Sequence, residues 1–271
     1  MSSIPRPVSS PLALLRRWVV DYFNAHSPEA AREFIAPDYR LEIGDALFDG
    51  RDDAWLPAVD EQMQRFPGLG MTVHEVVPAA DRVALFFTQH GARGGAGGPI
   101  AAWSGVAIYR TQAGRLASCV AQEDYLTRSR QLKSGHPDPI DAPAASPWDT
   151  PTLAQDPQAE SLVRGWLGSH WPAHVDQVRC DDEYLTGRRL RFEVEKVEIG
   201  ELFSSGGRVA FHARQTGRYI DGLDCATTER ARRQHLNCNG IVHVVDGRIQ
   251  SGRVIRDRIG LRSRLTAEVS S

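Results

Sequence analysis

The chain has 271 residues, of which 41% are hydrophobic and 24% are charged, and its formal net charge is −2. This length suits two domains of ordinary size, and the near-neutral charge gives no reason to expect nucleic acid or an acidic membrane as a partner. No apolar run approaches the 18 residues of a membrane span, and the N-terminus lacks the pattern of a signal peptide. The four cysteines have no CxxC spacing. We therefore expect a cytoplasmic protein with reduced thiols.

The first predicted element is an amphipathic helix, because Leu12, Leu15, Val19 and Tyr22 recur at helical spacing. Four segments with strand-like alternation follow it, over residues 71–76, 83–88, 106–110 and 116–122. The last two meet at a hairpin-turn sequence, residues 113–114. This order predicts an α+β domain with helices packed on one face of an antiparallel sheet.

A proline-rich segment then divides the chain near its middle. Residues 133–151 hold five prolines and have no apolar periodicity, which is typical of a linker. We predict a first domain over residues 1–133, a linker over 134–156 and a second domain over 157–271.

Three segments of the first half recur in the second half in the same order. Residues 14–18 resemble 162–166, residues 82–91 resemble 208–217, and a Gly-Arg-(Leu/Ile) sequence with an aspartate ten residues beyond the glycine occurs at Gly114 and at Gly247. This pattern predicts a tandem repeat. The spacing between the first two segments is 22 residues shorter in the second copy, which lacks the helix-like stretch of residues 52–71. The two copies therefore need not share a function.

These features resemble the SnoaL-like branch of the NTF2-like superfamily. The resemblance depends on the amphipathic first helix, the Gly50-Arg51-Asp52 sequence, the Arg-Val-Ala strands that end near Gly91 and Gly217, and the closing hairpin. It implies two cone-shaped, cystatin-like α+β barrel domains, each with a curved antiparallel sheet wrapped around N-terminal helices and an apolar pocket. Family members pair through their sheets, so it also implies an intramolecular pseudo-dimer or a homodimer.

The resemblance implies polyketide cyclase or isomerase chemistry with an aspartate as general acid/base, a role that falls on Asp124 or Asp257. Strict alternation places Leu116, Ser118, Val120 and Gln122 on the face of Asp124, where apolar neighbours would raise the pKa of its carboxyl. Arginines around Asp257 are expected to lower its pKa, so we favour Asp124. Relatives carry a glutamate and a tryptophan where this chain has Ser118 and Val120. The alternative role for Asp124 is a helix cap.

Further candidates are weaker. His74 and His90 could polarise a carbonyl, although half-buried histidines on strands more often only satisfy hydrogen bonds. The residues expected to line a site for a flat hydrophobic ligand are Trp18, Tyr22, Trp55, Trp103, Tyr109 and Gln122, with core packing as the alternative for the aromatic ones. His170 and His174 have helical i, i+4 spacing, but Pro172 between them argues against a metal site.

Three functions remain open at this level. The first is a cofactor-independent cyclase or isomerase, or alternatively a lyase or dehydratase, that acts on a small hydrophobic carbonyl-bearing molecule. The second is a non-catalytic protein that binds such a molecule, and the third is a structural scaffold. None requires a metal, a redox cofactor, nucleic acid or a membrane.

Overall fold

The computed structural model describes residues 9–169, 177–228 and 232–267, so His170 and His174 lie outside the described residues. Helix α1, Pro11–Arg17, begins at the cap Ser10, whose hydroxyl accepts a hydrogen bond from the Ala13 amide at 3.2 Å. It continues as a π-helical segment, Trp18–Phe23. Helix α2, Pro28–Phe34, follows. Within the described residues, no helix is long and apolar enough to cross a membrane.

The first sheet has six strands. They are β1 (Ile35–Ile43), β2 (Ala46–Asp49), β3 (Gly70–Pro78), β4 (Arg82–Ala92), β5 (Ile100–Gln112) and β6 (Arg115–Glu123), in the spatial order β2-β1-β6-β5-β4-β3. A π-helical segment, Arg51–Trp55, and helix α3, Leu56–Arg65, connect β2 to β3. Helix α4, Tyr125–Ser134, follows β6 directly.

The second sheet follows the proline-rich segment and has five strands. They are β7 (Val178–Cys180), β8 (Arg191–Ser205), β9 (Arg208–Asp221), β10 (Arg233–Val245) and β11 (Arg248–Arg256), in the order β7-β11-β10-β9-β8. Helix α5, Pro157–Ser169, precedes the sheet, the short α6, Glu183–Thr186, lies between β7 and β8, and α7, Arg258–Ala267, closes the described chain. Between β7 and β8 the structure has neither an equivalent of β2 nor one of the ten-residue α3.

The α+β class predicted from the sequence is confirmed, with one addition. All neighbouring strands are antiparallel except β1 with β6 and β7 with β11, which are parallel. Strand β1 is absent from the predicted elements because its alternation is weak, and it is held in place by pairing with a strand about 80 residues away.

Each sheet contains the same kind of cross-strand contact, between a phenylalanine and a glycine. Phe87 on β4 pairs with Gly105 on β5, and Phe211 on β9 pairs with Gly240 on β10. A Cβ atom at either glycine would lie within 2.4 Å of the facing phenylalanine ring, so a larger residue does not fit there.

Each sheet has an inner face that covers its own helices and an outer face that packs against the other sheet. On β4, Leu85 and Phe87 belong to the core of the first half, whereas Ala84 and Phe86 belong to the cluster between the sheets. That cluster, called the intersheet cluster below, also contains Val77, Ala79, Val106, Ile108 and Val120 from the first sheet and Phe203, Ala210, Ile241 and Ile255 from the second.

Candidate functional site

A cavity of about 260 Å³ lies on the inner face of the first sheet. It is enclosed by the π-helical end of α1, by α3 and by the β1–β2 hairpin. Most of its wall is apolar or aromatic, including Trp18, Tyr39, Phe48, Trp55, Val59, Phe87 and Tyr109. Three side chains, Gln62, Gln89 and Glu123, bring amide and carboxyl groups to this wall. An apolar cavity with a few convergent polar groups is the usual form of a small-molecule site.

A bulge in β6 decides which residues face this cavity. Thr111 pairs with Leu116 and Arg110 pairs with Ser118, so Ala117 is an extra residue in the strand. A bulge of this kind interrupts the alternation of side chains. As a result Cys119, Ala121 and Glu123 line the cavity. Leu116 lies in the core on the same inner face, while Val120 packs in the intersheet cluster. This corrects the face assigned by strict alternation, which placed Leu116 and Asp124 together.

Glu123 is held at the cavity wall by a chain of side-chain hydrogen bonds. The Trp103 indole nitrogen donates to its Oε2 at 2.8 Å, and the Gln89 amide donates to its Oε1 at 3.1 Å. Gln62 on α3 in turn donates to Gln89 Oε1 at 2.7 Å. Burial raises the pKa of the Glu123 carboxyl, and the Trp103 hydrogen bond and the charge of Arg128 oppose that shift. Such a carboxyl can accept and return a proton within an apolar cavity.

The sequence analysis missed Glu123, although it directly precedes Asp124. The alternation of Cys119, Ala121 and Glu123 is visible in the sequence, but it indicates an inner face only once the bulge at Ala117 is known.

Asp124 lies at the contact between the two halves, away from the cavity. It caps α4, because its Oδ1 accepts from the Thr127 amide at 3.1 Å. Arg258, at the start of α7, donates to both of its carboxyl oxygens at 2.7 Å. Burial raises the pKa of Asp124, and the Arg258 guanidinium opposes this shift. Its helix-capping role is therefore observed, and an acid/base role in the cavity would require Asp124 to leave this ion pair.

Both histidines lie away from the cavity, and burial lowers the pKa of each. His74 Nε2 lies 2.8 Å from Thr88 Oγ1, its Nδ1 lies 2.9 Å from the Ala142 carbonyl, and its ring packs on Phe86 of the intersheet cluster. His90 Nε2 lies 3.1 Å from Thr72 Oγ1.

Asp257 caps α7 by accepting a hydrogen bond from the Gly260 amide at 2.9 Å. Its carboxyl also lies against the β1–β2 turn at Gly44. The expected lowering of its pKa is wrong, because burial raises the pKa of this carboxyl. The Gly260 amide and the Arg264 guanidinium oppose this shift but do not outweigh burial. Two of the arginines expected to act on Asp257 bond to other carboxyls, Arg256 to Asp181 and Arg258 to Asp124.

The structure brings three of the six predicted ligand-binding side chains to the cavity, namely Trp18, Trp55 and Tyr109. The indole nitrogen of Trp18 is buried and has no hydrogen-bond partner among the described residues. Tyr22 packs behind the cavity wall, with its ring 5.3 Å from that of Trp55. Trp103 does not line the cavity itself, but its indole nitrogen donates a hydrogen bond to Glu123. Gln122, between two inner-face residues of β6, is buried on the outer face.

In the second half an arginine, Arg256, ends the last strand. Arg256 directly precedes Asp257, as Glu123 directly precedes Asp124. It is 1% exposed, its Nε donates to Asp181 Oδ2 at 2.7 Å, and its Nη2 donates to Glu183. A guanidinium paired in this way cannot act as a base.

Residues 15–119 match the family model described as a SnoaL-like domain. Three similar solved structures are IdmH from Streptomyces antibioticus, named as a candidate polyketide cyclase (25% identity, covering 46% of this chain and 99% of that chain, TM-score 0.41), TsrD from Streptomyces laurentii (22%, 44% and 91%, 0.39) and an NTF2-like protein of unknown function from Burkholderia pseudomallei (16%, 46% and 98%, 0.40). No curated protein matches the chain. The first half has an α+β fold. Its residues 15–119 match the SnoaL-like family, as the sequence resemblance predicted.

Proposed function

We propose that the first half is a cofactor-independent enzyme that uses a carboxyl group as general acid/base on a small hydrophobic carbonyl-bearing molecule, with cyclisation or isomerisation as the reaction class. We assign the acid/base role to Glu123 instead of Asp124. The observation that carries the proposal is the position of Glu123 in the wall of an apolar cavity, with its carboxyl oriented by Trp103 and Gln89.

The proposed chemistry is proton transfer at the carbon next to a carbonyl. The carboxylate of Glu123 takes the proton, the electron pair moves into an enolate, and the same carboxyl returns the proton at the end of the reaction. The enolate oxygen needs a hydrogen-bond donor, and the polar cavity-lining side chains that carry amide N–H groups are Gln62 and Gln89.

We further propose that residues 1–133 and 157–271 are tandem copies joined by the linker 134–156, and that the second copy is a structural partner. Two observations support this arrangement: the shared strand order, with a parallel strand pair at the same place in each sheet, and the paired arginine at Arg256. The intersheet cluster then forms an intramolecular pseudo-dimer. We place the protein in the cytoplasm, in agreement with its four free cysteines.

The proposal predicts that the protein exchanges α-protons of a hydrophobic ketone with solvent. We would incubate 1-indanone in D₂O with and without protein and follow the loss of its C2 proton signal by NMR. We expect acceleration over buffer, and a reduction of roughly 100-fold or more in that acceleration for Glu123→Gln. Asp124→Asn, which retains a capping side chain, should keep most of the acceleration.

The matched pair of variants assigns the base. If Asp124→Asn abolishes exchange while Glu123→Gln retains it, the assignment to Glu123 is wrong. If the wild-type protein binds a hydrophobic ligand but exchanges no protons, the non-catalytic binding protein replaces the enzyme as the preferred function. If it does neither, the scaffold remains.

A further inference from the structure

Arg128 on α4 lies directly behind the wall of the cavity. Its guanidinium carbon is 4.2 Å from the centre of the Tyr125 ring and 5.1 Å from that of Trp103. Tyr125 lines the cavity, and Trp103 is the residue that donates to Glu123. The aromatic rings therefore fix a positive charge close to the proposed acid/base.

This guanidinium forms no salt bridge among the described residues, which sets it apart from its neighbours, although its charge acts on the Glu123 carboxyl. Arg130, two residues further along α4, contacts Asp138 and Asp182. Arg65 on α3 pairs with Glu61. Arg128 has contacts with aromatic faces only, and these leave the edge of the guanidinium, where its N–H donors lie, without a bound acceptor.

Arg128 also lines a groove of about 420 Å³ that adjoins the cavity. The groove and the cavity share Ala58, Gln62 and Tyr125 as wall residues. Arg93, which is exposed, also lines the groove and adds a second positive charge. One molecule can therefore occupy both spaces, with an apolar part in the cavity and a charged part in the groove.

We propose that Arg128 binds an anionic group of the substrate, so that the substrate is a hydrophobic carbonyl compound that carries a carboxylate or a phosphate. This inference rests on the proposed function of the cavity. The planar guanidinium, stacked on Tyr125 and Trp103, presents paired donors in the geometry that suits a carboxylate or phosphate. Binding of the anion also neutralises a positive charge near Glu123, which favours uptake of the proton by its carboxylate.

The test compares two fluorescent probes with the same apolar body. N-phenyl-1-naphthylamine is neutral, whereas 8-anilinonaphthalene-1-sulfonate carries an anionic sulfonate in the place of the proposed carboxylate or phosphate. We expect both probes to bind with one molecule per chain and the anionic probe to bind roughly tenfold more tightly, an advantage that decreases at high salt. Arg128→Gln should remove this advantage and leave the affinity for the neutral probe within about twofold.

Two further variants complete the experiment. Arg128→Lys keeps the charge and should retain part of the preference for the anionic probe. This variant keeps the inference testable if Arg128→Gln folds poorly. Lys133→Gln removes an exposed charge on the same helix, outside the groove, and should change neither affinity.

Failure of the proposed function and failure of this inference give different results. If the neutral probe does not bind, the proposed function of the cavity fails, and this inference fails with it. If the neutral probe binds but the anionic probe has no advantage, or if Arg128→Gln weakens both probes equally, the inference about the anionic group is overturned while the cavity remains. Loss of the preference in Lys133→Gln would place the anion elsewhere on the protein and would also overturn it.

Discussion

Glu123 illustrates how a single residue acquires its chemistry from its surroundings. The residue that directly precedes the helix-capping aspartate is a glutamate beside a cavity in the first half and a buried, paired arginine in the second. Burial favours the neutral carboxyl of Glu123, because the ionised form loses hydration that hydrogen bonds from Trp103, Tyr125 and Gln89 replace only in part. The protonated form is therefore stabilised in the folded protein relative to the unfolded chain.

This environment makes a prediction about stability and pH. The folded pKa of Glu123 lies above its usual value of 4.5, so the stability that its neutral form contributes is complete below pH 4.5 and is lost as the pH rises through the folded pKa. Gln does not titrate. The free energy of unfolding of Glu123→Gln, minus that of the wild type, should therefore increase as the pH rises from 4.5. Urea unfolding at a series of pH values measures this difference, and a constant or decreasing difference would contradict the raised pKa.

At the scale of elements, each half ends with a strand that is followed directly by a helix with an aspartate cap. The side-chain partners of the two aspartates differ. Asp124 caps α4 and Asp257 caps α7. The Asp124 carboxyl also receives two short hydrogen bonds from Arg258. The Oδ2 atom of Asp257 is buried without a hydrogen bond, and Arg264 approaches it only to 3.7 Å. The two caps therefore contribute unequally to stability.

We expect Asp124→Ala to cost roughly 3 kcal/mol of unfolding free energy, from the loss of a helix cap and of charged hydrogen bonds. Asp257→Ala should cost about 1 kcal/mol, because it removes a cap and also relieves an unsatisfied buried oxygen. Chemical denaturation of both variants under the same conditions tests the difference. Equal costs would show that the Arg258 contact adds nothing to the cap.

For the whole molecule, the intersheet cluster is the feature that joins the two halves. It places Phe86 and Ile108 of the first sheet against Phe203 and Ile241 of the second. Charged groups connect the rims of this contact. Glu201 of the second half bonds to Arg82 and to Arg110, and Glu75 of the first half lies 2.7 Å from His243. Because each sheet covers the outer face of the other, the chain has no need of a second copy to bury these apolar residues.

The expected assembly is therefore a monomer of 30.0 kDa, which native mass spectrometry measures directly. Ile241→Glu places a charge in the intersheet cluster and should cost more than about 3 kcal/mol of unfolding free energy. Val245→Glu is the matched control on the same strand, where Val245 is 43% exposed, and should change stability by less than about 0.5 kcal/mol. A stable dimer, or equal effects of the two variants, would be evidence against the intramolecular arrangement.

The sequence by itself determined the α+β class, the SnoaL-like resemblance and the first amphipathic helix. It also identified Trp18, Trp55 and Tyr109, which line the cavity. These features follow from local periodicity and turn chemistry, which neighbouring residues encode without reference to distant ones.

Only the tertiary structure decided the identity of the carboxyl at the cavity. The extra residue at Ala117 depends on pairing between β5 and β6, and it moves Glu123 to the inner face. The ion pair of Asp124 with Arg258 joins residues 134 positions apart. Strand register and long-range charge pairing depend on the partner surface that folding brings into contact, and a periodic pattern within one segment carries no information about that surface.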